Sequence, residues 1–282
     1  MPEIFKQKSE ITLSQRAGFL GQRGAVIWLT GLSGSGKSTI AYMAERLLLE
    51  AKVFTAVLDG DNLRFGLNAD LGFSDADRAE NVRRISHVAV LFAQNGGIAI
   101  VSAISPFVAD RDAARAVSFA AGVPFVEVFI DTPLEECVRR DVKGLYKKAM
   151  NGEIDNFTGI SAPYEQPANP ELIIHTDESS AQTAAQQIFD YVKMLFSLEQ
   201  MTREAAKIAV SAGNKILEIY NGDFAVEYKD DNSPLTQADL AADTVICSFL
   251  KERYGQYAIL SEETQDIPAR LNNPGCFIVD PL

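Results

Sequence analysis

Five short apolar runs punctuate the first two thirds of the chain: AVIWLT from Ala25, FTAVLD from Phe54, GIAIVSAI from Gly97, FVEVFID from Phe125 and ELIIHT from Glu171. Each is strand-length, and the segments between them carry a helical period. From Arg78 to Asn95 the period is clearest, with Val82, Ile85, Val88, Ala89 and Phe92 on one stripe and Arg83 and Arg84 off it. Runs without strict alternation predict strands buried on both faces, hence a doubly wound parallel α/β sheet. A polar stretch from Asp141 to Pro170 breaks the pattern. It is longer than an ordinary connection, as lids and binding elements are. A helix from Ala181 to Leu198 closes this pattern, and a new one starts near Met201. The expected organisation is a lead segment at 1–24, a nucleotide-binding domain at 25–198 and a further portion at 199–282.

Of the 282 residues, 47% are apolar, enough for more than one core. The net charge is −12, and the part beyond residue 198 carries 7 basic against 14 acidic side chains. Neither part offers the basic face that a phosphate backbone requires, so nucleic acid is not expected as a partner. A local Arg/Lys cluster still suits a small anionic substrate. Cys137, Cys247 and Cys276 lie far apart without ligand spacing, which fits reduced thiols. No apolar run reaches membrane-spanning length and the N-terminus lacks a signal-peptide core, so a soluble cytoplasmic protein is expected.

GLSGSGKST, running Gly31, Leu32, Ser33, Gly34, Ser35, Gly36, Lys37, Ser38, Thr39, fits G-x-x-x-x-G-K-[ST] between a strand and a helix. Such a loop turns backbone N–H groups inward to cradle phosphates. Lys37 would reach the β- and γ-phosphates of ATP, and Ser38 would give an oxygen to Mg²⁺. The loop names a triphosphate donor but not the acceptor. AVLDGDNLRFGLN, from Ala56, sets Asp59 and Asp61 at a strand end, where a carboxylate can take a proton from an alcohol. Capping of the next turn is an equally good reading of both. Arg78 and Asn81 lie one helical turn apart, and Arg64 from the preceding loop can join them as an anion clamp.

Four blocks, DGDNLRFGLNADLGFSDADRAENVRRI, AISPFVADRDAAR, RDVKGLYKKAMNGEIDNFTGI and YEQPANPELII, resemble the successive motifs of the adenylyl-sulfate (APS) kinases across about residues 25–198. That family moves the γ-phosphate of ATP to the ribose 3′-hydroxyl of APS, giving 3′-phosphoadenylyl sulfate (PAPS) for sulfate assimilation. The resemblance implies that Asp61 orients or deprotonates this hydroxyl, that Arg64, Arg78 and Asn81 hold APS, and that Phe73 and Phe157 sandwich its adenine. Lys143 would lie in a mobile lid over the phosphates, and a homodimer is the usual assembly. Ser105 matches a substrate-side serine that some members phosphorylate; before Pro106 it also suits a plain turn residue, and no catalytic role is assigned to it. Ala103 stands where the family commonly carries an aromatic residue. His87 and His175 lack metal partners at useful spacing and read as structural.

Beyond Met201 an amphipathic helix, a second helix and the runs YAILSEE and CFIVDPL follow. They resemble the start of the inositol-monophosphatase superfamily, closest to the 3′(2′),5′-bisphosphate nucleotidases. The resemblance implies Mg²⁺ ligands at Glu262 and Asp280, with Asp239 behind them. The rest of that family's metal motif does not follow Leu282, so this portion is expected to be an incomplete α+β segment without hydrolase activity of its own. The alternative is a bifunctional protein that also hydrolyses 3′-phosphoadenosine 5′-phosphate once completed by another polypeptide.

Overall fold

The computed structural model describes residues 5, 7, 9–221, 226–228, 234–264, 268–273 and 275–280. It divides into two compact units, Met1–Phe196 and Ser197–Leu282.

In the first unit, α1 (Leu13–Leu20) precedes β1 (Ala25–Thr30), α2 (Lys37–Glu50), β2 (Thr55–Asp59), α3 (Gly60–Leu63), α4 (Asp75–Gln94) and β3 (Ile98–Ser102). Then come α5 (Val108–Ala120), β4 (Phe125–Asp131), α6 (Leu134–Arg140), α7 (Leu145–Met150), β5 (Leu172–His175) and the long α8 (Ala181–Tyr220). The strands form one sheet in the order β2-β3-β1-β4-β5, all parallel. Every residue of β1 and β3 is buried, because helices cover both faces. One face packs Ile27, Leu29 and Ile100 against Ile40, Leu48 and Ile188. The other packs Val26, Trp28 and Val101 against Val82, Ile85 and Ala89, with Ala103 at its edge. The order reverses at β1, and a ligand crevice opens at the strand ends where such a reversal occurs. The glycine loop sits there.

All five expected strands form, each within a residue or two of its predicted ends. The predicted helix at 78–95 starts earlier, at Asp75, because Ser74 caps it reciprocally with Asp77. Its buried stripe takes in Val90 and Ala93 as well, while Val88 and Phe92 are half-buried. The helix expected to end near Leu198 instead continues to Tyr220, and the expected boundary at 198/199 falls inside it. SLEQMTREAAKIA contains neither glycine nor proline, so nothing local ends the helix there. The lead segment contains α1, closed by a Thr12/Gln15 capping box.

In the second unit, β6 (Val226–Tyr228) and β7 (Pro234–Thr236) pair antiparallel, followed by α9 (Gln237–Tyr254). Then β8 (Ala258–Ser261) and β9 (Cys276–Val279) pair in parallel, with a 3₁₀ turn at Pro268–Asn272 between them. Cys247, Leu250, Tyr254 and Val279 form a small core. All three cysteines are free thiols. Among the described residues no helix is long and apolar enough to cross a membrane.

Candidate functional site

The loop after β1 owes its shape to glycine. Gly31 has φ 145° and a Cβ there would lie 2.5 Å from Ile130 O, while Gly36 caps α2 at φ 101°. No side chain caps this helix, so its first N–H groups remain available to an anion. Lys37 is buried and folds back on the loop, donating to Gly31 O at 2.9 Å and Leu32 O at 2.6 Å. Burial pushes its pKa down to about 8, against the raising pull of Cys137, Asp61 and Asp59.

The two candidate aspartates separate in role. Asp59 Oδ1 accepts from the backbone N–H of Asp61 and Asn62, capping α3, and its Oδ2 accepts from Ser38 Oγ at 2.7 Å. Ser102 Oγ lies 3.2 Å from the same serine oxygen. A hydroxyl backed by a carboxylate and a second hydroxyl is an all-oxygen set that fits Mg²⁺. Sequence reasoning gave Ser38 that role and missed its carboxylate, although an aspartate ending the strand beside the loop was visible. Asp61 is exposed and is met by the Lys143 ammonium from the 141–170 segment. Lys37 on the donor side and Arg64 on the other both feel its charge.

Arg64 donates to Leu71 O at 3.0 Å and Gly72 O at 2.8 Å, and its guanidinium lies 4.2 Å over the Phe73 ring. Arg78 donates to Phe73 O and Asn156 O and to Thr158 Oγ1 at 2.6 Å. It therefore ties Phe73 to the residues on either side of Phe157. Burial lowers the pKa of both arginines, and Arg64 lowers that of Arg78 further, as facing cations do. Phe73 is 62% exposed, whereas Phe157 is 9% exposed and meets Tyr146 edge-on at 4.9 Å. Asn81 is buried and accepts from Asn68 Nδ2.

Ser105 does not join this group. Its side chain is buried at φ 41°, and its hydroxyl accepts from Trp28 Nε1 at 3.0 Å. His87 is exposed on α4, and His175 Nδ1 lies 3.2 Å from Asp131 Oδ2, with no metal cluster beside either among the described residues.

The 141–170 segment is fastened at several points. Asp141 accepts from Tyr146 N and Lys147 N and so starts α7, and the Tyr146 hydroxyl donates to Ser33 O at 2.9 Å. Tyr164 Oη bonds Thr30 Oγ1 at 3.0 Å. The buried Arg111 donates to Glu127 Oε1 at 2.7 Å, Ser105 O at 2.7 Å and Glu165 O at 2.8 Å. Apart from the local Asp141 contacts and the Arg111–Ser105 bond, these fastenings join distant stretches of the chain and leave no pattern in the sequence.

In the second unit, parallel pairing of Ser261 with Val279 sets Glu262 and Asp280 side by side at adjacent strand ends, both exposed. Asp239, in the first turn of α9, is buried. No group of three or more metal-ligating side chains occurs among the described residues. Pro281 and Leu282 of the expected metal motif lie outside the described residues.

The profile of the adenylylsulphate kinase family matches residues 23–175, and that of the inositol monophosphatase family matches residues 197–282. The adenylyl-sulfate kinase of Clostridium acetobutylicum is 52% identical over 187 residues, covering 66% of this chain and 92% of that protein. That of Emericella nidulans is 55% identical over 188 residues, covering 64% and 91%. An APS kinase of Mycobacterium tuberculosis, solved in complex with AMPPNP and APS, aligns at TM-score 0.60 and 56% identity over 61% of this chain and 99% of that one. With its glycine loop, its Asp61 and its parallel sheet in these relatives' company over more than half its length, the chain belongs to the adenylylsulphate kinase family.

Proposed function

We propose that this chain is an ATP-dependent adenylyl-sulfate kinase that transfers the γ-phosphate of ATP to the 3′-hydroxyl of APS, yielding PAPS and ADP. The observation that carries this reading is the place of Asp61, exposed in the turn after β2 whose Asp59 accepts from Ser38 of the glycine loop, and met by the Lys143 ammonium. A carboxylate so placed accepts the hydroxyl proton as the oxygen attacks the γ-phosphorus. Lys37 exchanges its two loop carbonyls for phosphate oxygens, and the N–H groups of the loop and α2 hold the rest of the triphosphate. Ser38, backed by Asp59, would hold Mg²⁺, which neutralises charge on the transferring phosphate when bound. Arg64, Arg78 and Asn81 hold the anionic part of APS. Phe73 and Phe157 stack on its adenine, worth about 1–3 kcal/mol for the base. Lys143, seated on Asp61, brings the 141–170 segment over the reacting groups. The homodimer implied by the resemblance belongs to the same reading and is measured by analytical ultracentrifugation.

A coupled ADP-release assay with APS, adenosine 5′-phosphate and gluconate as competing acceptors tests the reaction. Turnover with APS alone is expected; comparable turnover with gluconate rejects APS as the acceptor.

A second reading concerns residues 197–282. Because Glu262 and Asp280 lie at the ends of two paired strands, this portion supports a metal-dependent 3′-phosphoadenosine 5′-phosphate hydrolase completed by further ligands. Mg²⁺-dependent phosphate release from that nucleotide measures it, and its absence restricts the chain to the kinase reaction.

A further inference from the structure

Among the described residues only two buried side-chain polar atoms lack a hydrogen-bond partner, Asn68 Oδ1 and Asp110 Oδ2. Asn68 is 0% exposed, in the turns that follow α3, with its backbone N–H bonded to Leu63 O. Its side chain makes one bond, Nδ2 donating to Asn81 Oδ1 at 2.9 Å. An orphaned buried carbonyl is destabilising, so its presence calls for a reason other than stability. The other half of the same amide supplies one.

We propose that Asn68 is a positioning residue that fixes which end of the Asn81 amide faces the acceptor. The two ends of a primary amide have nearly the same shape, so hydrogen bonds decide which one points outward. Asn68 presents its NH₂ end to Asn81 and holds it by the carbonyl. Among the described residues the one side-chain hydrogen bond of Asn81 is the one its carbonyl accepts from Asn68. Its NH₂ group is left as a pure donor on α4, one helical turn from Arg78. Reversed, the amide would turn the negative end of its dipole towards an anion held by two guanidinium groups. The Asn68–Asn81 pair thus selects a ligand atom that accepts hydrogen bonds, as a phosphate or sulfate oxygen does. It acts through Asn81 and leaves the triphosphate loop untouched. The inference rests on the reading above, in which Asn81 touches APS.

Steady-state kinetics on the full chain, with APS and ATP varied in turn, separate the two. Asn81→Ala is expected to raise KM for APS about tenfold, the loss of one hydrogen bond to a charged group, with KM for ATP unchanged. An unchanged KM for APS overturns the contact itself, and the inference with it. Asn68→Asp keeps the shape but offers only acceptors, so it turns Asn81 round. It is expected to raise KM for APS at least as much, again without changing KM for ATP, and to add nothing in an Asn81→Ala background. If Asn81→Ala raises KM for APS while Asn68→Asp leaves it alone, the contact stands and the positioning role falls. Effects that add in the double variant, or that move both KM values equally, overturn it too. Should Asn68→Asp fail to fold, Asn68→Ala introduces no buried charge and lets Asn81 rotate. A rise of about threefold in KM for APS with KM for ATP unchanged is expected, whatever the change in melting temperature; a lowered melting temperature without a change in KM overturns the proposal.

Discussion

Lys37 sits 8% exposed with its ammonium on two loop carbonyls, and its pKa near 8 lies below the ordinary 10.5. Between those values the folded empty site leaves Lys37 neutral while the unfolded chain keeps it protonated. Its contribution to stability therefore rises with pH across that window and is unfavourable below it. A bound triphosphate favours the ammonium, so ATP binding at about pH 9 should draw in nearly one proton, and at about pH 7 none. Calorimetry in buffers of different ionisation enthalpy measures this, and equal uptake at both pH values would contradict it. The same residue ranks the machinery. Positioning and charge stabilisation dominate phosphoryl transfer, whereas a general base adds about 10²- to 10⁴-fold. Lys37→Ala is expected to abolish turnover and Asp61→Asn to leave a measurable remnant; single-turnover rates of equal size in both variants would contradict that order.

At the scale of elements, the buried Arg111–Glu127 pair joins α5 to β4 and fastens the Ser105 turn to the Tyr164–Glu165 stretch. Removing one partner of such a pair strands a charge in the interior, at about 3–5 kcal/mol. Glu127→Ala is expected to cost that much in urea unfolding, since Arg115 cannot take over an acceptor's part. A loss below about 1 kcal/mol would mean that water already serves Arg111. This fastening also marks where the sequence stops being legible. The five strands could be read because each is an apolar run between breakers, and the glycine loop because its spacing is local. Arg111 binds groups 6 to 54 positions away, and no pattern along the chain announces that. The same holds for Asp59 with Ser38, 21 positions apart, and for Asn68 with Asn81, 13 apart. The capping box of α1 was local and readable, but no apolar stripe drew attention to it.

For the whole molecule, each donor- and acceptor-side residue of the proposed kinase site, from Gly31 to Thr158, belongs to the Met1–Phe196 unit. The helical core of that unit reaches Leu195 and Phe196, while Met201 packs with the small core around Leu250 and Tyr254. Continuity of α8 across this division joins the two units by covalent backbone, yet it adds no kinase side chain. Domains with their own core fold as units. A chain ending after Gln200 is therefore expected to unfold cooperatively and to keep kcat/KM for APS within about twofold of the full chain. A loss beyond about tenfold, with the melting temperature preserved, would instead mean that residues 201–282 complete the kinase site, a contribution that a substitution scan over α9 and β8 would then have to locate.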